Sequence, residues 1–446
     1  MRRILFTILL LLSTIVGRCQ YKAYDLNSYT NPELQRKTFD ITLNSKGSLK
    51  KDNHKTLNDV NGLVGFLYSN LKNSEKIQKL SLISCETDLN YRNLDSTHRQ
   101  TFSEVDLNFN LNQKAHYYVD ERHFLEVSPR LVLTNYFSKS KQAAMNYNNR
   151  YSRAFEVELE VDLGVGKGRI ENATDARQAI YILEALQSKG ILKKSLSSEE
   201  INSFAKQISI VKNKRHFDAR QRAIDELSYI DRYLTFMGYI DPTNTADYFL
   251  TLNDYWQNGD HDLRQAGYRF KLGLAPTYIF NRASQTYEEN KLPAYKELDT
   301  KWGGTFYLDY LSENPISLKV QRSFNAGVRN GLYRWRSRSC NEFLAHGYAK
   351  YELGFFRSTR TYIKWRLSED LYWNHTPRTK QLVRDNIFAS RTNLTAEAYY
   401  YITPQLRIAG SYTLSYDFYR SVAHNKNFYD KLPASKFDLG FVYSIF

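Results

Sequence analysis

The sequence predicts an all-β transmembrane antiparallel β-barrel of about 14 strands (about 12–16) that carries an α-helical insertion domain. Three observations predict this fold. The chain ends on FDLGFVYSIF, where apolar side chains alternate with small or polar ones at the two-residue period of a β-strand. Segments of the same period recur along most of the 446 residues. The links between these segments alternate between long loops and tight turns, as in barrels of this class.

The N-terminus predicts export from the cytoplasm. The chain begins with the basic stub MRR, and residues 4–17 are almost wholly apolar. This pattern predicts a secretory signal peptide over residues 1–19 and a mature chain from Gln20. An uncleaved membrane anchor is the alternative, and Arg18 disfavours a lipoprotein at Cys19. No later run of about twenty apolar residues occurs, so no transmembrane helix is predicted.

The composition favours a barrel over a soluble core. Aromatic residues make up 15% of the chain, with 35 Tyr, yet the mean hydropathy is only −0.57. In a barrel only alternate strand residues need be apolar, and Tyr suits the two membrane interfaces. The net charge of +15 then suits an anionic membrane surface better than nucleic acid. Cys85 and Cys340 alone remain after processing, and we expect them to be unpaired.

The first half of the barrel is predicted over residues 20–164, with about six strands. Segments 104–111 and 155–163 show the clearest alternation. In 155–163 the apolar positions from Phe155 onward oppose an acidic stripe, which is Glu156, Glu158, Glu160 and Asp162. Because successive strand side chains point to opposite faces, that strand has one apolar face and one acidic face.

The second half is predicted over residues 264–446, with about eight strands. Its last strand is expected to pair with the first and close the sheet. That closing strand carries Phe437, Leu439, Phe441, Tyr443 and the terminal Phe446. The predicted long outer loops are 282–298, 333–342, 374–386 and 421–434. The predicted tight periplasmic turns are 313–315, 357–359 and 403–405.

Residues 165–263 have the pattern of helices instead of strands. Apolar residues at helical spacing begin at Thr174, and a capping box stands at 197–200. Further helices are predicted over 217–237 and about 244–256. Counting turns and loops back from the C-terminus puts both ends of this segment on the periplasmic side. The sequence therefore predicts a periplasmic helical insert, hung below the barrel or folded into its mouth.

The insert also carries a resemblance to a known group of proteins. The runs GKGRIENATDARQAIYILEALQSKGIL and KNKRHFDARQRAIDELSYIDRYL, within residues 165–237, resemble a helical insert of uncharacterised, porin-like outer-membrane β-barrel proteins of the Bacteroidota. The resemblance implies a location in the bacterial outer membrane and this architecture. It implies no activity.

Charged side chains at inward positions form the first candidate site, a lumen charge wall. Three interpretations stay open: ion pairs that keep a polar interior rigid, an acidic wall facing a basic wall that screens solutes, and a cation site built from the acidic stripe alone. The members of the wall are Glu156, Glu158, Glu160, Asp162, Lys319, Arg366 and Arg407.

A second candidate site is the arginine cluster just past the outer end of a strand. Guanidinium groups there would suit the phosphates of lipopolysaccharide, since Arg binds phosphate in a bidentate manner. A solvated loop is the alternative. The cluster is Arg334, Arg336 and Arg338.

A third candidate site is a basic patch between the second and third helices of the insert. It would suit peptidoglycan or an acidic periplasmic protein, although helix capping by its neighbours also explains it. The patch is Lys214, Arg215 and Arg220.

The sequence favours a membrane role over catalysis. The nine His are scattered, and no Ser-His-Asp order, metal-ligand pair or phosphate-binding Gly loop stands out. No enzyme, cofactor, metal or nucleic-acid partner is predicted. The expected partners are outer-membrane lipid, lipopolysaccharide and the barrel-assembly machinery, with a periplasmic protein or peptidoglycan possible at the insert.

The favoured function is porin-like passage of small solutes or a structural membrane role, with the insert gating the lumen or docking a partner. A sealed barrel that anchors a binding site for protein, glycan or lipopolysaccharide is the alternative. An outer-membrane hydrolase is a distant third.

Overall fold

The computed structural model contains one antiparallel sheet in which 14 strands follow the order of the chain. Each strand pairs with the next along the sequence, which is the topology of an up-and-down barrel sheet. The predicted fold class, with its helical insertion, is confirmed. The structure describes residues 24–52, 55–95, 100–142, 149–213, 219–242, 245–259, 263–287, 295–336, 340–358, 361–376, 385–402, 406–423 and 426–443.

Six described strands precede the helices and eight follow them. The first six are β1 (Leu34–Asp52), β2 (Lys55–Asn73), β3 (Ile77–Asp95), β4 (Gln100–Tyr118), β5 (His123–Gln142) and β6 (Asn149–Asn172). The helices are α1 (Thr174–Ser188), α2 (Ser198–Asn213), α3 (Ala219–Phe236) and α4 (Ala246–Asn258). The last eight strands are β7 (Gln265–Tyr287), β8 (Tyr295–Ser317), β9 (Val320–Trp335), β10 (Cys340–Ser358), β11 (Thr361–Thr376), β12 (Asp385–Tyr401), β13 (Leu406–Ala423) and β14 (Lys426–Tyr443).

The strands are longer than a membrane requires. They run from 16 to 24 residues, whereas about 9–11 residues cross a bilayer. On β9 the outward apolar positions extend from Phe324 to Leu332, and both residues are exposed. Arg322 and Arg334 flank this apolar segment at its two ends. The strands therefore continue beyond the apolar band.

Three predicted links are wrong because strand pairing continues into them. In the expected long loop 282–298, β7 runs to Tyr287 and β8 begins at Tyr295. Residues 421–434 were expected to form a long loop, but β13 and β14 pair through most of this range and leave only 424–425 between them. Pro433 pairs with Tyr416 there, although proline brings no N–H donor to the ladder. The turn expected at 313–315 lies instead at 318–319, since β8 continues to Ser317.

The helices form their own apolar core, as their periodicity predicted. Ser197 and Glu200 make the reciprocal capping box: the Ser197 N–H donates to Glu200 Oε2 at 2.8 Å, and the Glu200 N–H donates to Ser197 Oγ at 3.3 Å. Helix α1 ends at Ser188, and Gly190 shortly after it has a φ of +69°, the left-handed conformation that glycine adopts without strain.

A segment before β1 belongs to this helical core, which the sequence did not predict. Tyr24, Leu26 and Tyr29 are buried with the helices. Asn31 then connects the segment to the end of β6, since its Nδ2 donates to the Asn172 carbonyl at 2.8 Å. The chain therefore passes through the insert before it enters the sheet.

The two edge strands are the most exposed part of the sheet. The hydrogen-bonded pairs of the described residues run from β1 to β14, and a β1–β14 pair is not among them. Leu43 of β1 is 75% exposed and Phe441 of β14 is 68% exposed. Because unpaired backbone groups are costly in hydrocarbon, a membrane-embedded sheet needs these two edges to be satisfied.

We predict that β14 pairs with β1 in the membrane. Ile41→Cys combined in turn with Cys at Phe437, Leu439 or Phe441 should give an intramolecular disulfide in at least one register, because paired strands bring Cα atoms within about 4.4–6.8 Å. The measurement is a mobility shift on non-reducing gels. Ile41→Cys with Leu414→Cys, one strand further away, is the matched control. Disulfide-linked dimers instead of intramolecular bonds would contradict the prediction.

Candidate functional site

The acidic stripe of β6 lies on the inner face of the sheet and is bonded to side chains of the neighbouring strands. Glu158 accepts a hydrogen bond from Arg130 Nη1 of β5 at 3.0 Å. Glu156 accepts one from Asn281 Nδ2 of β7 at 3.2 Å, and Glu160 accepts one from a β7 threonine at 3.3 Å. These contacts favour the interpretation as a bonded lumen wall. Within the described residues, no group of three or more His, Cys, Asp or Glu side chains has metal-binding geometry.

Of the basic residues predicted for the charge wall, one lies in the wall and one lies in a turn. Arg366 of β11 donates to Glu352 Oε2 of β10 at 2.9 Å and lies 3.7 Å from Glu397 of β12. Lys319 is in the link between β8 and β9, so its prediction as a wall residue is wrong. The error comes from Pro315, which suggested a turn but is tolerated in β8 beside a register shift.

Two members of the wall remain. Asp162 is on β6, and its Oδ1 atom is buried with no hydrogen-bond partner. Arg407 is on β13 and pairs through its backbone with Val442 of β14; its side chain lies outside the described residues.

The inner face also carries a buried polar cluster that the sequence analysis did not identify. At its centre, Glu126 accepts hydrogen bonds from Lys271 Nζ at 2.9 Å and from the Tyr307 hydroxyl at 3.0 Å. Asp309 accepts one from the Tyr348 hydroxyl at 2.7 Å and lies 3.5 Å from Lys271. We name this cluster the lumen network; its members are His116, Glu126, Lys271, Tyr307, Asp309, Arg329 and Tyr348.

Two glycines allow the lumen network to form. Tyr307 is on β8 and Glu126 is on β5, so the tyrosine must cross β6 and β7. Gly164 and Gly273 pair directly across those two strands. A Cβ atom at Gly273 would lie 2.6 Å from the Tyr307 hydroxyl and 2.3 Å from the Leu163 carbonyl oxygen. The sequence signal for this contact is a glycine at matching inward positions of adjacent strands.

We predict that Gly273→Ala destabilises the barrel by about 1–3 kcal/mol, because the added methyl displaces Tyr307 and crowds the β6 backbone. Gly440→Ala is the matched control, since a Cβ atom at that strand glycine would meet nothing within 4 Å. The measurement is the free energy of unfolding in detergent micelles with urea. Equal stability of the two variants would show that Tyr307 does not depend on the glycine pair.

A buried charge cluster joins the insert to the barrel, and we name it the docking cluster. Asp175 of α1 is bonded to Lys212 Nζ of α2 at 3.0 Å and to Arg36 Nη2 of β1 at 2.7 Å. Ser209 of α2 also donates to Asp175, and its hydroxyl lies 3.0 Å from that of Tyr29. Asp175 and Lys212 are almost fully buried. One carboxylate thus connects two helices and the first strand.

The electrostatics of the docking cluster favour the ionised carboxylate. Burial alone would raise the pKa of Asp175, but the positive charges of Lys212 and Arg36 and the hydrogen bond from Ser209 outweigh it and lower that pKa to about 2. Asp175 also lies in the first turn of α1, where the helix dipole favours negative charge.

Arg264 provides a second anchor between the insert and the sheet. This fully buried residue precedes β7 and donates to the carbonyl oxygens of Leu318 at 2.7 Å and Ser317 at 2.8 Å. Its guanidinium carbon lies 4.7 Å from the centre of the Phe356 ring of β10. The guanidinium of Arg177 in α1 lies 5.4 Å from the same ring. Cation–π contacts therefore fix α1 against β10.

The first turn of helix α1 therefore lies close to both β1 and β10 at one end of the sheet. Its contacts are with Arg36 on the inner side of β1 and Phe356 on the inner side of β10. These strands are nine positions apart in the sheet order, or five if β14 closes onto β1. The first turns of α1, residues 174–180, are buried. Of the two predicted arrangements, these contacts favour an insert folded into the mouth.

The two predicted basic surface clusters fall only partly within the described residues. Arg334 and Arg336 are exposed at the end of β9, at outward positions. Arg338, Lys214 and Arg215 lie outside the described residues. Arg220 has its backbone in α3, and its side chain lies outside the described part of the chain.

The predicted closing strand and the cysteines can also be located. Phe437, Leu439 and Phe441 are exposed on one face of β14, Tyr443 is its last residue, and Phe446 lies outside the described residues. Cys85 on β3 and Cys340 on β10 are not joined by a disulfide, as expected. No helix among the described residues is long and apolar enough to cross a membrane.

Comparison with known proteins gives distant structural likenesses only. The translocator domain of the autotransporter NalP from Neisseria meningitidis matches with a TM-score of 0.28 and 8% identity, over 78% of this chain and 88% of that one. The siderophore receptor PiuA from Acinetobacter baumannii matches with a TM-score of 0.20 and 8% identity, over 93% and 82%. Likenesses at this level carry no functional argument. No protein-family model and no curated protein matches the chain.

The fold and the site together define a class of protein. Fourteen antiparallel strands in chain order, an apolar outward face and a charged inward face define an outer-membrane type of β-barrel. The distinguishing feature within that class is the helical insert, which is attached to one end of the sheet by the docking cluster and Arg264.

We predict that Asp175→Asn loosens the insert by about 3 kcal/mol, because the buried Lys212 and the partly buried Arg36 lose their carboxylate partner. Trypsin cleavage after Lys193 or Lys194, between α1 and α2, should then rise by about two orders of magnitude. Asp247→Asn is the matched control, since its pair with Lys189 is at the surface.

The lowered pKa of Asp175 predicts how the attachment of the insert changes with pH. A depressed folded-state pKa stabilises the native state above the unfolded value of about 4, and this stabilisation is lost as pH falls toward 2. The difference in the free energy of unfolding in urea between wild type and Asp175→Asn should therefore be constant from about pH 5 to 8 and shrink below about pH 4. A difference that grows on acidification would contradict this assignment.

Proposed function

We propose that this protein is an integral barrel of the bacterial outer membrane that passes small solutes through a charged lumen, with the helical insert gating one mouth. The single observation that supports this function best is the position of α1 between the inner faces of β1 and β10. A helix in that position controls access to whatever space the barrel encloses. Fourteen strands enclose a lumen wide enough for a solute path unless it is filled.

The chemistry of the lumen supports a selective path. Its wall holds charges of both signs, and their geometry is fixed by ion pairs such as Arg366–Glu352 and Arg130–Glu158. Rings and walls of fixed charge discriminate among solutes by their charge. Small polar or charged solutes are therefore the class that this lumen would admit, while apolar solutes would find few favourable contacts.

One observation favours the alternative of a sealed anchor. The insert is held by two independent buried anchors, the docking cluster and Arg264, and the lumen network adds further bonds across the inner face. An insert that never moves would make the barrel a platform for binding a periplasmic partner. A gated pore should conduct ions when the insert is loosened, whereas a sealed anchor should not.

Planar-bilayer conductance separates the two functions. Wild-type protein should give rare, brief openings, and Asp175→Asn should open more often because the insert detaches more easily. Deletion of residues 174–260 should give a stable current step. Asp247→Asn should behave as wild type. Absence of current from the deletion variant, when that variant still unfolds cooperatively in urea, would refute the pore and leave the sealed anchor.

A further inference from the structure

The outer ends of β5 to β9 carry a belt of basic side chains on the lipid-facing side of the sheet. All seven members are exposed and occupy the same face as the outward apolar residues of their strands. We name them the cationic belt: Lys139, Lys141, Arg153, Arg282, Lys296, Arg334 and Arg336. The two arginines of β9 that were predicted to contact lipopolysaccharide are thus part of a larger surface.

The ionised side chains on this surface are all positively charged. The outward positions of these strand ends hold no carboxylate at all in the segments 131–141, 151–159, 276–286, 296–304 and 328–336. The inward positions of the same strand ends do carry acids, among them Glu156, Glu158 and Asp299. Seven cations of one sign on one face repel one another, so the belt favours an external anion.

Aromatic residues lie directly beside the belt, between it and the apolar band. Tyr278, Trp302 and Arg334 are neighbours in register across β7, β8 and β9. On the adjacent strands, the Arg153 guanidinium lies 5.4 Å from the Phe137 ring centre. Tyr and Trp prefer the boundary between hydrocarbon and headgroups. The belt is therefore at headgroup height.

A cavity at this boundary gives the belt a defined binding site. It has a volume of about 430 Å³ and is lined by Tyr278, Thr300, Trp302, Arg334, Trp335 and Arg336. Arg336 is held in place there by its backbone, since its N–H donates to the Thr300 carbonyl at 2.9 Å. Two guanidinium groups over an aromatic floor are suited to a phosphate group that is attached to an apolar body.

We propose that the cationic belt binds a glycolipid that carries more than one phosphate in the outer leaflet, with one phosphate between Arg334 and Arg336. The belt crosses five strands, which places its ends about 20 Å apart, more than one phospholipid headgroup covers. The adjoining apolar band would receive the acyl chains. This proposal rests on the outer-membrane location in the proposed function, and it is independent of any pore.

The test uses the full-length protein in detergent micelles, titrated with bisphosphorylated lipid A. Arg334→Ala/Arg336→Ala should weaken binding about ten-fold or more, because charge-assisted hydrogen bonds are lost. Arg334→Lys/Arg336→Lys should give an intermediate loss, since Lys keeps the charge but not the bidentate geometry. Arg322→Ala is the matched control. It removes an exposed outward arginine of the same strand at the opposite end of the apolar band, and it should leave binding unchanged.

Other probes identify what the belt recognises. Monophosphorylated lipid A should bind more weakly than the bisphosphorylated form, and phosphatidylglycerol should bind weakest. Equal binding of all three lipids would overturn the proposal in favour of general anionic attraction. Full competition by inorganic phosphate would overturn it in favour of a free-phosphate site. Unchanged affinity of Arg334→Ala/Arg336→Ala would also overturn it. Because none of these readouts is a current, failure here and failure of the pore are distinguishable.

Discussion

The need to pair every backbone N–H and C=O group inside hydrocarbon is the constraint on which the rest of this structure depends. It makes each membrane-crossing segment a strand bonded to its neighbours, and it fixes an alternation of outward apolar and inward polar side chains. It also requires the helical insert to leave and rejoin the sheet at one end, where water or protein can satisfy the helix termini. The exposed edges of β1 and β14 have no strand partner in the described sheet.

Within that frame, polar contacts rather than apolar packing determine how the insert is attached. The helices have an apolar core of their own, but their contacts with the sheet centre on Asp175 and Arg264, two charged residues that are almost fully buried. A buried charge is strongly destabilising if it loses its partner. Such contacts therefore specify one docked position, and they make undocking a distinct state instead of a gradual loosening.

The regular parts of this protein could be predicted from sequence, and the contacts between distant elements could not. The acidic stripe of β6, the capping box at Ser197 and the stop at Gly190 depend on neighbours a few residues away, so their patterns are visible in the chain. Tyr307 contacts Glu126 only because Gly164 and Gly273 are in register. Local sequence periodicity does not predict the register across four strands. Lys319 was misplaced for a similar reason, since Pro315 signals a turn locally but the pairing of β8 with β9 continues past it.

The contrast between the two faces of the sheet shows how charge serves different roles in one fold. Inward charges occur with both signs, as in Arg366 between Glu352 and Glu397, so they satisfy one another and give a rigid polar interior. Outward charges at the described ends of β5 to β9 are all positive. Anions from outside the protein would reduce the repulsion among these charges. The charges of the inner face are therefore balanced within the protein. The stability of the outer rim depends on the lipids of the membrane around it.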